Sequence, residues 1–176
     1  MSLICNDCGK KIETLPLECA HSISINSETN QWECYMENCG TISINEFICE
    51  SCCTNRNIMK INKTIERLSL ENEEFKEELT FFKKNIIQTK LTNSDFNMWV
   101  EFGNGGYLCD KGVKENPSAL FICSQKTMNQ ILEGTVKPFD VFFSGDLKIE
   151  GDLQYSLVYF DLIKLALEIS SETGGA

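Results

Sequence analysis

Cysteine thiolates and imidazole nitrogens are the side chains that hold zinc, and this chain presents them in close pairs. Cys5/Cys8, Cys19/His21, Cys34/Cys39 and Cys49/Cys52 place eight donors within the first 53 residues, and His21 is the chain's sole histidine. The string reads Cys-x2-Cys-x10-Cys-x-His-x12-Cys-x4-Cys-x9-Cys-x2-Cys. Eight donors satisfy two tetrahedral Zn2+ ions, so Cys5, Cys8, Cys19, His21, Cys34, Cys39, Cys49 and Cys52 are the expected metal ligands. A close pair lets one tight turn offer two thiolates to one ion. Gly9 and Gly40 follow Cys8 and Cys39, where such a turn calls for positive φ. Cys53 is the odd thiol, either a substitute for Cys52 or simply buried. A segment this short buries too little apolar surface to fold alone, so closed zinc sites are expected to act as its core rather than as catalysts.

Two wirings are open. In a sequential module the first two pairs share one ion and the last two the other. In an interleaved module pairs one and three share an ion, as do pairs two and four. The first half of the string, including Cys19-x-His21, resembles the cross-brace fingers of the RING type. That resemblance implies interleaving and a ubiquitin-type ligase. The string departs from it afterwards, because twelve residues separate His21 from Cys34 where a RING finger has two or three.

The elements that must carry these groups follow from charge and periodicity. The chain of 176 residues has a net charge of −10. Residues 1–57 hold 3 basic and 8 acidic side chains, residues 58–92 hold 7 and 6, and residues 93–176 hold 6 and 12. A metal module at net −5 is a poor phosphate binder, so no nucleic-acid partner is expected. No signal peptide and no apolar run of membrane-spanning length is visible, and a cytoplasmic location is expected, where paired cysteines bind metal rather than each other.

Ile61, Ile65, Leu68, Asn72, Phe75, Leu79, Phe82 and Ile86 are spaced four and three residues apart in alternation. This predicts a helix over about 58–84, either packed on its own domain or forming a homodimeric coiled coil with Asn72 setting register. The period then changes to two. Asn85–Leu91, Phe96–Phe102, Gly106–Asp110 and Ala119–Ser124 read as strands, with Gly103-Asn-Gly-Gly as a hairpin turn. Residues 125–133 read as a helix ended by Gly134, and Lys137-Pro138 starts a short one. A strand bounded by Gly145 and Gly151 follows, and a helix from Leu153 to Ile169 closes the chain.

This order, together with Leu132-Glu-Gly and the run Gly145-Asp-Leu-Lys-Ile-Glu-Gly-Asp152, resembles the sterol carrier protein type two family over about residues 60–171. The resemblance implies an α+β fold in which a five-stranded sheet covered by helices encloses an apolar tunnel. It implies a lipid carrier rather than an enzyme, with a tunnel wall drawn from Leu132, Phe139, Phe142, Phe143, Leu147, Ile149, Leu157 and Phe160. The organisation read from the chain is a two-zinc module at 1–55, a helical connector with the first strand at 56–92, the rest of the carrier-like domain at 93–171, and a disordered tail at 172–176. The module would contact a protein partner or the carrier-like domain itself. A dimerising scaffold without a cavity and a cross-brace ubiquitin-type ligase are the alternatives. Residues 58–176 hold two thiols, Cys109 and Cys123, both on expected strands and without a histidine to activate them, so no catalysis is expected.

Overall fold

The computed structural model describes residues 3–12, 14–16, 22–25, 28, 32–34, 41–42 and 48–173, with side chains at 4–11, 28 and 48–169. The chain divides into two units, Met1–Cys53 and Thr54–Ala176. In the first, β1 (Leu3–Ile4) and β2 (Lys11–Ile12) pair as a hairpin with Leu3 opposite Ile12. Strands β3 (Thr14–Pro16), β4 (Ser22–Ile25), β5 (Trp32–Cys34) and β6 (Thr41–Ile42) form an antiparallel meander in that order. Helix α1 (Glu50–Glu71) begins at Glu50 rather than near residue 58, so Cys52 and Cys53 belong to its first turn.

The second unit is α+β, with a five-stranded mixed sheet in the order β11-β10-β7-β8-β9. Strands β7 (Asn85–Leu91), β8 (Asn97–Gly103) and β9 (Gly106–Lys111) form an antiparallel meander. Strand β10 (Ala119–Cys123) then runs parallel to β7, with Ala119 opposite Ile87, and β11 (Leu147–Gly151) lies antiparallel on its other side. The alternation of β8 is used in full: Met98, Val100 and Phe102 are buried while Asn97, Trp99 and Glu101 are not. The hairpin between β8 and β9 turns through Asn104 and Gly105, both at positive φ, which is the geometry that Asn-Gly favours. Helices α2 (Glu73–Thr80), α3 (Gln125–Leu132), α4 (Pro138–Ser144) and α5 (Leu153–Thr173) complete the unit. The last runs into the residues expected as a disordered tail.

The helix expected over 58–84 is broken. Asn72 leaves the helical conformation at φ −109° and ψ 112°, and its Oδ1 accepts the Phe75 amide at 2.8 Å, so it caps the start of α2. The coiled-coil reading fails here for a physical reason: the amide expected to set register between two chains instead restarts the helix. Ile65, Phe75 and Leu79 are buried in the chain's own core.

The buried stripe of α1 is also displaced from the expected one. It runs Ile58, Asn62, Ile65, Ser69. Asn62 is fully buried. Its Nδ2 donates to the Ile58 carbonyl at 2.9 Å, and its Oδ1 accepts from Tyr107 on β9 at 2.8 Å and from Tyr159 on α5 at 3.2 Å. Three elements thus meet on one amide. Replacing Asn62 with Ala leaves two buried hydroxyls without that acceptor and opens a void. Urea unfolding should show a loss of about 2–4 kcal/mol.

Candidate metal centre and apolar cavity

The turn between β1 and β2 carries Cys5 and Cys8. The Cys5 amide donates to the Lys10 carbonyl and the Gly9 amide to the Cys5 carbonyl, both at 2.9 Å. Gly9 takes φ +70°, the conformation expected of it. Cys49 immediately precedes α1, and its carbonyl accepts from the Cys53 amide at 2.9 Å, which starts the helix and turns Cys52 toward the same point.

The Sγ atoms of Cys5, Cys8, Cys49 and Cys52 all lie within 4.8 Å of one another, and Cys8 Sγ is 3.7 Å from Cys49 Sγ. A zinc–sulfur bond of about 2.3 Å in tetrahedral geometry sets the sulfurs about 3.8 Å apart, so the four residues fit one metal ion. This pairs the first couplet with the last. Neither the sequential nor the interleaved wiring does that, and it is not the grouping of a cross-brace finger. Cys34 is placed by its backbone at the end of β5, opposite Ile23, while Cys19, His21 and Cys39 lie outside the described residues.

Without an ion the four thiols compete for charge. The Cys49 amide donates to Cys5 Sγ at 3.3 Å and, chiefly through that bond, Cys5 is lowered to about 6. The Lys10 amide and Cys52 lower Cys8, but its contacts with Cys5 and Cys49 and its partial desolvation together leave it raised. Cys52 is raised, first by burial and then by its contacts with the other three sulfurs. A divalent cation removes the conflict by making every thiolate favourable.

In the second unit two apolar cavities flank α4. The larger, about 360 Å3, lies between α3, α4 and α5 and is lined by residues that include Ile131, Val136, Phe139, Leu157, Phe160 and Leu167. The smaller, about 200 Å3, reaches β11 and is lined by Pro138, Phe139, Phe142, Phe143, Ile149, Leu153, Leu157 and Phe160. Pro138, Phe139, Leu157 and Phe160 belong to both walls. Of the eight expected tunnel residues, six stand at these cavities. The other two do not: Leu132 and Leu147 are fully buried core residues, because Leu132 joins the packed face of α3 and Leu147 sits opposite Cys123 under the covered part of the sheet. Ile149 shares the phase of Leu147 but lies farther along the edge strand, where the cover opens. The sequence reading missed Ile131, Val136, Pro138, Leu153 and Leu167 as wall residues. For Leu153 and Leu167 the signal was present on α5, where they recur with Leu157 and Phe160 at helical spacing. The larger wall also includes Lys137, Asp161 and Lys164.

The model for the SCP-2 sterol transfer family matches residues 61–164. The chain belongs to this family. No curated protein sequence matches it at a significant level. Among solved structures, sterol carrier protein 2 from Yarrowia lipolytica in its apo form is 21% identical, with 60% of this chain and 88% of that one covered and a TM-score of 0.49. The sterol carrier protein domain 2 of Helicoverpa armigera is 21% identical over 62% of this chain and 87% of that one, with a TM-score of 0.47. The sec-alkylsulfatase Pisa1 from Pseudomonas sp. is 14% identical over 49% of this chain, which spans only 14% of that enzyme, with a TM-score of 0.45.

The SCP-2 motif at the end of β11 has a local physical cause. Gly151 takes φ +99°, and a Cβ there would strike the Ser118 backbone carbonyl. Asp152 next donates its amide to Ser118 at 2.8 Å and turns its carboxylate onto the amides of Gln154 at 2.9 Å and Tyr155 at 3.2 Å, capping α5. Asp152→Ala should cost about 1 kcal/mol of stability and Gly151→Ala about 2 kcal/mol or more, read by thermal or urea unfolding.

Cys109 and Cys123 are buried in strands. Burial pushes both thiols up to about 12, and at Cys109 the Glu66 carboxylate, 3.8 Å away, adds to the shift. A raised thiol pKa means a protonated, unreactive group at neutral pH. Both should resist alkylation in the folded chain while exposed Cys53 reacts, and both should label once the chain is unfolded in urea, as peptide mass spectrometry can show.

Proposed function

We propose that this chain binds and carries an apolar ligand, a lipid tail of acyl, isoprenoid or sterol type, in the cavities walled by α4, α5 and β11, and that it does so without catalysis. The observation that carries this reading is the paired cavity itself. Its larger part falls within the range of about 300–1,000 Å3 typical of small-molecule pockets, and its smaller part is lined by apolar side chains alone. Membership of a sterol transfer family supports it. Phe139, Phe142, Phe143, Ile149, Leu157 and Phe160 are the ligand-contacting residues. Among the described residues no helix is long and apolar enough to cross a membrane.

Zinc is the ion we assign to the amino-terminal unit. One ion is held by Cys5, Cys8, Cys49 and Cys52, and Cys19, His21, Cys34 and Cys39 are proposed to hold a second. Support for the second set comes from the meander, in which the connections from β3 to β4 and from β5 to β6 leave the same end of the sheet. The zinc unit serves as a contact surface for a protein partner, and a reducing, cytoplasmic setting keeps its thiols available to metal.

The test is ligand capture by the whole chain. Native mass spectrometry of protein from its own host should show a co-purifying lipid mass. A fluorescent fatty acid should bind to the delipidated protein, and Leu157→Trp, which fills the shared wall, should weaken that binding about tenfold or more. A folded protein that carries no lipid and ignores the probe would remove the carrier reading.

A further inference from the structure

We propose that Cys5, Cys8, Cys49 and Cys52 form one closed tetrathiolate zinc site that clasps the two ends of residues 1–53 and fixes the first turn of α1, with Cys19, His21, Cys34 and Cys39 lying between the clasped pairs. This deepens the zinc assignment above and rests on it.

The geometry is that of a filled coordination shell. Four protein sulfurs within 4.8 Å of one another leave no open position for water or substrate, which is the mark of a structural rather than a catalytic ion. Soft thiolates in tetrahedral array select zinc over the hard cations. The two couplets come from unrelated local structures that converge. One is the turn at Cys5–Lys10, with Gly9 at positive φ, and the other is the start of a helix. The amide of Cys49 donates to Cys5 Sγ, so the second couplet supplies a hydrogen bond to the first as well as two ligands. The start of α1 places the positive end of the helix dipole beside an anionic cluster. Cys53, one residue past Cys52, is exposed and outside the cluster, which settles the competition between the two adjacent thiols in favour of Cys52.

The functional consequence is topological. A sequential or interleaved pair of ions would tie neighbouring loops together. A first-to-last clasp instead joins the start of α1, through Cys49 and Cys52, to the turn between β1 and β2 that carries Cys5 and Cys8.

The test uses the full-length chain loaded with 113Cd in place of zinc. Scalar coupling between a cadmium signal and cysteine Hβ protons should list Cys5, Cys8, Cys49 and Cys52 on one ion in the unmutated protein. Native mass spectrometry should then show that Cys5→Ser and Cys49→Ser each lose the same one ion, and that Cys53→Ser loses none. Amide exchange at Cys53, whose amide bonds to the Cys49 carbonyl, should quicken in the variants that lose it. Coupling of Cys5 to the same ion as Cys19 or Cys34 would overturn the clasp while leaving the zinc assignment standing. A chain that takes up neither zinc nor cadmium would overturn both.

Discussion

One buried amide holds the second unit in register. Asn62 sits where a helix stripe would ordinarily carry leucine, and burying it is tolerable only because every polar atom is matched. Its carbonyl oxygen receives Tyr107 from the edge of the sheet and Tyr159 from the last helix, while its nitrogen returns to its own helix at Ile58. Apolar contacts alone would let α1 slide or rotate against the sheet by a residue at small cost, since Ile61 and Leu68 flank the stripe and also pack on the core. The amide removes that freedom, because any other register strands two hydroxyls and a carboxamide. Tyr159 also stacks with Phe102 at 6.2 Å and lies 5.7 Å from Phe121, so the polar node sits within an aromatic cluster that excludes water from it.

The node and the cavity divide α5 between them. Tyr159, Leu162, Ile163 and Ala166 are buried against the core, while Leu153, Leu157 and Lys164 face the space beside α4, and Phe160 and Ile163 border both. The helix is fixed from two directions, by Asn62 on Tyr159 and by the Asp152 carboxylate on its first turn. That rigidity allows one flank to remain unfilled. A helix held only by the packing beneath it would shift to close an apolar gap of this size, as cores do around small voids.

The two units solve the same problem by different chemistry. The first is too small to bury a core, and its described side chains include one tight constellation of thiols. The second has ample apolar surface and fails to use all of it. Its strand boundaries were legible because β8 and β10 alternate cleanly, and two helix ends were legible from Gly134 and Pro138. The motif at Gly151-Asp152 could be read as well, since only glycine tolerates the approach of Ser118 and aspartate is a natural helix cap. The stripe of α1 was not legible. Asn62 and Ser69 are polar, and a hydrophobic period drawn through Ile61 and Leu68 passes beside them; only the tyrosines that reach Asn62 from 45 and 97 residues away reveal it. Asn72 was misread for the complementary reason, since an amide on a seam and an amide at a cap look alike in sequence. Pairing of the metal ligands was equally hidden, because spacing identifies which residues share a turn and says nothing about which turns meet.

Helix α4 shows why the cavity is open at all. It has seven residues, begins on a proline without a side-chain cap, ends on Gly145 at φ +85°, and buries none of its side chains. Its phenylalanines do not fill the space they border: Phe142 and Phe143 meet each other edge to face at 5.7 Å, and Phe143 remains 80% exposed. Leaving an aromatic ring in water beside an unfilled apolar cavity forgoes about 2 kcal/mol that a modest inward rotation would recover. What opposes that rotation is geometric. Proline fixes the entry, the left-handed glycine fixes the exit, and Phe139 already stands in the wall shared by both compartments. The helix is thus held as a short apolar strap over space it cannot occupy, an arrangement that the proposed apolar guest would complete.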